Sequence, residues 1–195
     1  MSGLKNLLRD DKTTLAQVTA YLKPLSHEQK SNEALSLNKK CQARLWVLAK
    51  DGSPLDLNYL VPKDAKSLDP QPFDGKNSLP VFTRFQKVFY RTPDGLIGGY
   101  NNSSAAPLIG WGYYIAEPNP KTNKELAVNY TKLPKDKPAG WPAIKPNTAF
   151  PTIFVYGNMI DYLRRVDDEV LIGKAFRQGK EMENYFVLIR HAPRK

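Results

Sequence analysis

The chain has 195 residues, of which 41% are hydrophobic and 25% charged, so it can bury a sizeable core and is unlike a disordered chain. Its single cysteine, Cys41, excludes an intrachain disulfide and a cysteine-based metal cluster. The formal net charge is +10, but the basic residues are spread along the chain, which favours an ordinary solvated surface over a nucleic-acid reader.

Two helices are predicted near the N-terminus. Thr14 can cap a helix whose apolar residues recur at intervals of three and four positions and which Pro24 ends. Ser26 and Gln29 have the spacing of a capping box and begin a second, more polar helix. We favour helices that cover the core over an arm that packs on a partner.

From Cys41 onward the pattern becomes typical of strands. Residues 41–50 alternate small or apolar side chains with polar or large ones, which favours a half-buried strand over a helix. Residues 62–80 contain four prolines and are predicted as a long exposed loop. Further strands are predicted at 81–91, 96–100, 110–116 and 125–131. Residues 133–151 hold five prolines, and we expect this loop to wrap over the surface or across a barrel mouth.

The C-terminal segment has the clearest pattern, a three-stranded meander. Its predicted strands are residues 152–166, 169–176 and 185–191, and Asp167 and Asp168 make the first turn. Large side chains occur on both faces of the first and third strands, whereas a sheet backed by solvent alternates more cleanly. Both faces are therefore expected to contact protein or ligand.

This segment resembles part of a known family. The likeness lies in residues 155–156, 160–173 and 185–190, and its most specific element is an Arg-x-Val-Asp-Asp turn followed by a glycine. These residues are similar to the C-terminal part of the GxWxG family of lipocalin-like bacterial proteins and its companion domain of unknown function. The resemblance implies a mainly β fold, an antiparallel lipocalin-like β-barrel with N-terminal helices.

The predicted organisation is a single domain over residues 1–195. A helical segment over residues 1–40 packs on a β-barrel over residues 41–195. The interior of such a barrel can hold a small molecule, so the predicted partner is a small hydrophobic or amphipathic molecule. The chain lacks a signal-peptide pattern and any apolar run near the roughly 20 residues that span a bilayer, so we expect a cytoplasmic protein with no membrane partner.

Two adjacent arginines lead the candidate binding residues. Arg164 and Arg165 point to opposite faces of a strand, so one of them is expected to face the interior. A guanidinium there can bind a carboxylate or phosphate, or pair with a buried acid such as Asp161. Arg164 shares its predicted face with Tyr156 and Tyr162, and aromatic walls with a few polar groups are typical of a small-molecule pocket.

Two aromatic residues of a more central strand add to this set. Trp111 and Tyr114 offer rings on which a flat ligand can stack, although such rings also build cores. With Arg190 in the last strand, the predicted ligand contacts are Trp111, Tyr114, Tyr156, Tyr162, Arg164 and Arg190.

Motifs for catalysis or metal binding are weak. Asp167, Asp168 and Glu169 carry carboxylates that can bind a divalent metal or act as acid and base, but adjacent carboxylates also suit an ordinary β-turn, which we favour. The two histidines, His27 and His191, lie far apart in the sequence and give little support to a metal site or a catalytic triad. We predict no metal and no cofactor.

Three functions follow in order of preference. The leading hypothesis is a noncatalytic module that binds a small apolar or amphipathic molecule in the barrel. The second is an enzyme of the same architecture that uses tyrosine, arginine and aspartate. The third is an interaction or nucleic-acid-associated protein that uses its basic surface. The sequence does not determine the ligand or the oligomeric state.

Overall fold

The computed structural model describes residues 3–81 and 83–191, which form a layer of helices followed by a β-barrel. The helices are α1 (Leu4–Leu7), α2 (Leu15–Leu22), α3 (His27–Ala34), α4 (Lys39–Leu48), α5 (Leu57–Leu60), α6 (Ala106–Ile109) and α7 (Ile153–Tyr156), and a short 3-10 helix, Ala49–Asp51, follows α4. The strands are β1 (Gln71–Asn77), β2 (Arg84–Arg91), β3 (Ile97–Asn102), β4 (Tyr114–Pro118), β5 (Glu125–Asn129), β6 (Met159–Arg165), β7 (Val170–Arg177) and β8 (Lys180–Arg190).

The eight strands form a closed barrel. Each strand pairs antiparallel with the next along the chain, and β1 pairs with β8 to complete the circle. Closure removes the exposed strand edges that an open sheet would present, and eight strands in up-and-down order are the arrangement of lipocalin-type barrels. The predicted mainly β fold, an antiparallel barrel with N-terminal helices, is confirmed.

The N-terminal helices cover the outer face of the barrel. Leu22, Leu37 and Leu45 are fully buried in one cluster with Val187 and Ile189 of β8. Both predicted caps are present, since the side chain of the residue before α2 and that of the residue before α3 accept a hydrogen bond from the backbone three positions later. The two predicted N-terminal helices are therefore confirmed.

Residues 41–50 are mostly helical, so the strand predicted there is wrong. Helix α4 begins after Asn38, whose side chain accepts a hydrogen bond from the amide of Cys41 at 3.0 Å. Cys41 and Leu45, one helical turn apart, are buried against the barrel. The helical part of the chain therefore extends to Leu60 at the end of α5, and the barrel begins at Gln71.

Two further segments differ from the predictions. Part of the loop expected at residues 62–80 is strand β1, in which Phe73 is fully buried in the barrel. The single strand expected at residues 152–166 is divided into α7 and β6. Asn158, with a φ of 54°, lies between them in the left-handed region, which breaks the extended path.

The loop at residues 133–151 wraps over the outer surface, one of the two courses expected for it. The ring of Trp141 packs on Tyr100 at 4.2 Å and on Tyr90 at 5.3 Å. Asn147 donates hydrogen bonds to the carbonyl oxygens of Tyr113 at 2.6 Å and Tyr130 at 2.8 Å. The loop thereby builds a second, outer layer over β2, β3 and β4.

The connections between strands gather at the two ends of the barrel because the strands alternate in direction. One end, which we call the mouth, holds the connections at residues 78–83, 103–113, 130–158 and 178–179. The other end, the base, is covered by α5, where Leu60 is fully buried and the ring of Tyr59 stacks on Phe73 at 6.4 Å.

Phe89 provides a test of the interior packing. Its fully buried ring lies edge-on to Phe73 at 5.5 Å and 5.5 Å from Tyr114. We expect Phe89→Ala to lower the free energy of unfolding by about 3–5 kcal/mol, because it leaves a cavity in the barrel. Val47→Ala, at a side chain that is 58% exposed on α4, should change it by less than about 0.5 kcal/mol. Urea unfolding of both variants measures the difference, and equal effects would contradict this packing.

Candidate functional site

Four polar side chains meet inside the barrel, and we call them the polar cluster. They are Lys87 of β2, Asn101 of β3, Tyr130 directly after β5, and Asp161 of β6. The ammonium Nζ of Lys87 donates hydrogen bonds to the Tyr130 hydroxyl at 2.6 Å, to Asn101 Oδ1 at 3.1 Å and to Asp161 Oδ2 at 3.1 Å. The Tyr130 hydroxyl donates to Asp161 Oδ2 at 3.0 Å and accepts from Asn101 Nδ2 at 3.0 Å.

The alternation of β2 explains how a lysine comes to lie in the core. Side chains two residues apart share one face of a strand, so Lys87 lies on the same face as Phe85 and Phe89. Its ammonium lies 4.9 Å from the ring centre of Tyr114 and 5.1 Å from that of Phe186. Aromatic faces attract a cation, so these rings compensate part of the lost hydration.

The polar cluster is almost completely removed from solvent. Lys87 is 1% exposed and Asp161 is 4% exposed, and their ion pair crosses the barrel interior. Burial lowers the pKa of Lys87, and the adjacent Asp161 carboxylate offsets part of this shift. Burial raises the pKa of Tyr130 well above its usual value, and the Asp161 charge raises it further. Tyr130 therefore stays protonated and acts as a hydrogen-bond donor.

One hydrogen-bond acceptor of the polar cluster has no partner among the described residues. Asp161 Oδ2 takes the hydrogen bonds from Lys87 and Tyr130, whereas Oδ1 is buried and has no hydrogen-bond partner among the described residues. A buried acceptor without a partner costs about 1–3 kcal/mol, and more when it is charged. The arrangement is therefore open to a donor from outside the protein.

A pocket of about 450 Å³ at the mouth leads to the polar cluster, and we call it the mouth pocket. Lys87, Asn101, Tyr130 and Asp161 form its floor. Its walls are mostly apolar and include Leu79, Val81, Phe85, Ile109, Phe154, Val155, Tyr156, Met159, Ala175, Met182 and Phe186. An apolar pocket that ends on a few convergent polar groups is the usual form of a small-molecule site.

Arg177 fixes one wall of the mouth pocket. Its guanidinium donates hydrogen bonds to the backbone carbonyls of Phe154 at 3.0 Å and Val155 at 2.9 Å. These bonds attach α7 to the end of β7. The aromatic residues of α7 are thereby held beside the opening.

Two of the predicted binding residues lie beside the polar cluster. Tyr156 lines the mouth pocket, and its ring stacks on Tyr130 at 5.1 Å. Tyr114 is fully buried in the interior and donates a hydrogen bond to the Val88 carbonyl at 3.0 Å. The structure thus brings both tyrosines together with Lys87.

Arg164 and Tyr162 share one face of β6, as predicted, but that face lies outside the barrel, where both line a pocket of about 520 Å³ together with Trp46. The guanidinium of Arg164 lies 3.7 Å from the ring centre of Trp46 in α4 and pairs with Glu125 at 2.7 Å. The ring of Tyr162 packs edge-on against Phe176 at 5.0 Å. The interior face of β6 falls on the odd-numbered residues.

Arg165 is on that interior face, but at the base. Its guanidinium lies 5.2 Å from the ring centre of Tyr59 and pairs with Asp168 at 2.5 Å. Arg190 also lies at the base, 4.7 Å above the ring of Phe73, and donates a hydrogen bond to the carbonyl of Tyr59. Neither arginine reaches the mouth pocket, because the two ends of the barrel are separated by the packed core.

Trp111 is the remaining predicted contact, and it lies on the outer surface. Its ring is 5.9 Å from that of Tyr100, in the cluster that the loop at residues 133–151 covers. It therefore takes no part in the mouth pocket.

Three members of the polar cluster, Lys87, Asn101 and Tyr130, are not among the residues predicted from the sequence. Asp161 was expected as a partner for an arginine and instead pairs with Lys87. The useful signal was Lys87 between Phe85 and Phe89, because a lysine on an aromatic strand face needs a buried partner if that face points inward.

The acidic residues after β6 form the tight connection to β7, and Asp167 hydrogen-bonds the local backbone, in line with the turn that we favoured over a metal site. Asp167 Oδ1 accepts hydrogen bonds from the amides of Glu169 and Val170, each at 2.8 Å. The second carboxylate oxygen of Asp167 pairs with Lys30 of α3 at 3.1 Å, which joins the helical layer to the barrel. Among the described residues no group of three or more His, Cys, Asp or Glu side chains is placed to hold a metal ion.

Comparisons of the chain with protein-family models, with curated proteins and with solved structures found no match. The resemblance to the lipocalin-like GxWxG family stays a prediction. Within residues 3–81 and 83–191, no helix is both long and apolar enough to cross a membrane.

The ion pair of Lys87 and Asp161 can be tested by a double-mutant cycle. We expect Lys87→Met and Asp161→Leu each to lower the free energy of unfolding by about 3–5 kcal/mol, because each leaves one buried charge without its partner. The double variant should lose less than the sum of the two losses, because it buries neither charge. Urea unfolding measures all four proteins, and additive losses would contradict a direct interaction.

Proposed function

We propose that the protein binds a small, largely apolar molecule with one hydrogen-bond donor, such as a hydroxyl or an amine, in the mouth pocket. The observation that carries this proposal is Asp161, which lines the floor of an apolar pocket and whose buried Oδ1 has no hydrogen-bond partner among the described residues. A donor on the ligand would satisfy this oxygen, while the rest of the molecule contacts the apolar walls.

The size and charge of the mouth pocket support the same class of ligand. Its volume of about 450 Å³ lies within the range of roughly 300–1,000 Å³ typical of small-molecule sites. The cation of Lys87 and the anion of Asp161 offset each other at the floor, and the guanidinium of Arg177 in the wall is bonded to the carbonyls of Phe154 and Val155. A neutral polar head group therefore suits the floor better than a charged one.

The C-terminal resemblance to lipocalin-like proteins supports binding in a barrel interior. The earlier idea that an inward arginine orients the ligand is replaced, because Arg164 lies outside the barrel and Arg165 at its base. In the present proposal Asp161 orients the ligand and Lys87 holds the Asp161 carboxylate in place.

Matched ligands test the required donor. We expect a long-chain primary alcohol to bind about tenfold or more tightly than its methyl ether, because a hydrogen bond to a charged group contributes about 1.5–3 kcal/mol. Competition against an environment-sensitive apolar fluorophore measures both affinities. Equal affinities for the alcohol and its ether would contradict a hydrogen bond between the ligand and Asp161.

Filling the mouth pocket tests the location. Ala175 lines the pocket and is 4% exposed, so Ala175→Leu places a larger side chain in the space that the ligand would occupy. We expect this variant to bind the fluorophore at least about tenfold more weakly. The matched control is Ala20→Leu at an exposed position of α2, which should bind as the wild type does. Unchanged binding by folded Ala175→Leu protein would place the ligand elsewhere.

A second candidate function is proton-transfer catalysis in the same pocket. It is favoured by the Tyr130 hydroxyl, a proton donor that lies 2.6 Å from Lys87 Nζ and 3.0 Å from Asp161 at the pocket floor. Mass spectrometry of a bound small carbonyl compound after incubation in deuterium oxide tests this function. Deuterium incorporation that Tyr130→Phe abolishes would support an enzyme. A ligand recovered without deuterium would contradict catalysis and leave ligand binding as the proposed function.

A further inference from the structure

The large apolar side chains that are exposed are concentrated at the mouth. In the described part of the chain there are eight of them, and six lie in mouth connections: Leu79, Val81, Leu108, Phe150, Ile153 and Phe154. The most exposed are Phe150 at 83%, Leu108 at 72% and Phe154 at 70%. We call these six residues the apolar rim. An exposed apolar patch of this kind marks an interaction surface.

The apolar rim is continuous with the mouth pocket. Leu79, Val81 and Phe154 also line the pocket, and the ring of Phe150 packs edge-on against Phe154 at 5.9 Å. The rim residues come from three connections that the up-and-down order brings to one end of the barrel. Whatever covers the rim therefore lies directly over the opening of the pocket.

The charge around the rim favours an anionic surface. Residues 130–143 of the third connection run over the outer surface, where the carbonyl oxygen of Asp136 accepts a hydrogen bond from Tyr90. The remaining residues 78–83, 103–113 and 144–158 contain neither aspartate nor glutamate, and their one charged residue is Lys145, which lines a groove with Phe150. The chain as a whole carries a formal charge of +10. An apolar surface with exposed aromatic rings and no acidic residue, on a chain of net positive charge, is suited to the interface of anionic lipid membranes.

We propose that the apolar rim binds the surface of a lipid bilayer with anionic headgroups, with Phe150, Leu108 and Phe154 inserted at the interface. This proposal rests on the proposed ligand-binding function, because it gives an apolar ligand a path between bilayer and mouth pocket that avoids water. This proposal departs from the expectation of no membrane partner, which rested on the lack of a spanning segment in the sequence, whereas peripheral binding requires no such segment.

Vesicle sedimentation tests the membrane binding directly. We expect the wild type to sediment with vesicles of phosphatidylcholine and phosphatidylserine, and less with phosphatidylcholine alone. Phe150→Ser combined with Leu108→Ser, at two rim residues that do not line the mouth pocket, should lower the partition coefficient about tenfold or more, because both side chains then lose their apolar contact with lipid. The control is Leu96→Ser, a side chain that is 49% exposed in the β2–β3 turn at the base and should behave as the wild type does.

Fluorophore binding in vesicle-free solution separates this proposal from the proposed function. The rim variant should still bind the fluorophore, which also shows that it is folded, whereas Ala175→Leu should sediment with vesicles but bind the fluorophore weakly. If Ala175→Leu binds the fluorophore normally, the proposed function fails while the membrane binding stands.

Two results would overturn the membrane binding itself. The first is a wild type that stays in the supernatant, or a rim variant that sediments as the wild type does. The second is a dimer in size-exclusion chromatography that the rim substitutions dissociate, because the rim would then be covered by a second copy of the chain.

Discussion

Strand β1 pairs with β8, and this closure gives the sheet an inside and an outside along its whole length. Once the sheet is closed, the alternation of side chains along each strand assigns every residue to one of two environments. Phe73, Phe89, Leu163 and Leu188 point inward and form the barrel core. The outward residues of β7 and β8 pack against the N-terminal helices.

The polar cluster lies inside the barrel because of the same alternation of side chains, but it stabilises the fold less than apolar side chains would. Burying an ion pair costs desolvation free energy that a well-packed apolar pair would avoid. In this barrel the pair of Lys87 and Asp161 lies between the apolar core and the mouth pocket, where it would contact a ligand in the function we propose. The hydrogen bonds of Asn101 and Tyr130 hold both charges in one geometry, so a ligand would meet a floor that is already organised.

The sequence predicted those parts of the fold that depend on local chemistry. The caps at Thr14 and Ser26, the acidic turn at Asp167 and most strands follow from contacts within a few residues. Residues 41–50 form a helix although a strand was predicted, because their apolar residues fit both the two-residue period of a strand and the 3.6-residue period of a helix. Packing against the barrel selects the helix. Strand β1 was missed because its Pro, Asp and Gly residues suit a loop, and pairing with both β2 and β8 overrides that preference.

The candidate site was harder to predict because it depends on register. Arg164 and Arg165 differ by one position, and the place where β6 begins decides which of them faces inward. Lys87 resembles an ordinary solvent-facing lysine of a strand until pairing with β3 places Asn101 beside it and closure of the barrel brings Asp161 within reach. These contacts join residues far apart in the chain, so no local pattern contains them.

The two-sided wall of β6 has a practical consequence for protein engineering. Asp161 and Leu163 point into the barrel, whereas Tyr162 and Arg164 hold the outer layer through Phe176 and Trp46. Residues that line the interior therefore alternate with residues that hold the outer layer along the same strand. A library that varies only the inward positions near the mouth would change the lining of the mouth pocket and leave the contacts of the outer layer unchanged, so the interior and the shell of this barrel can be engineered separately.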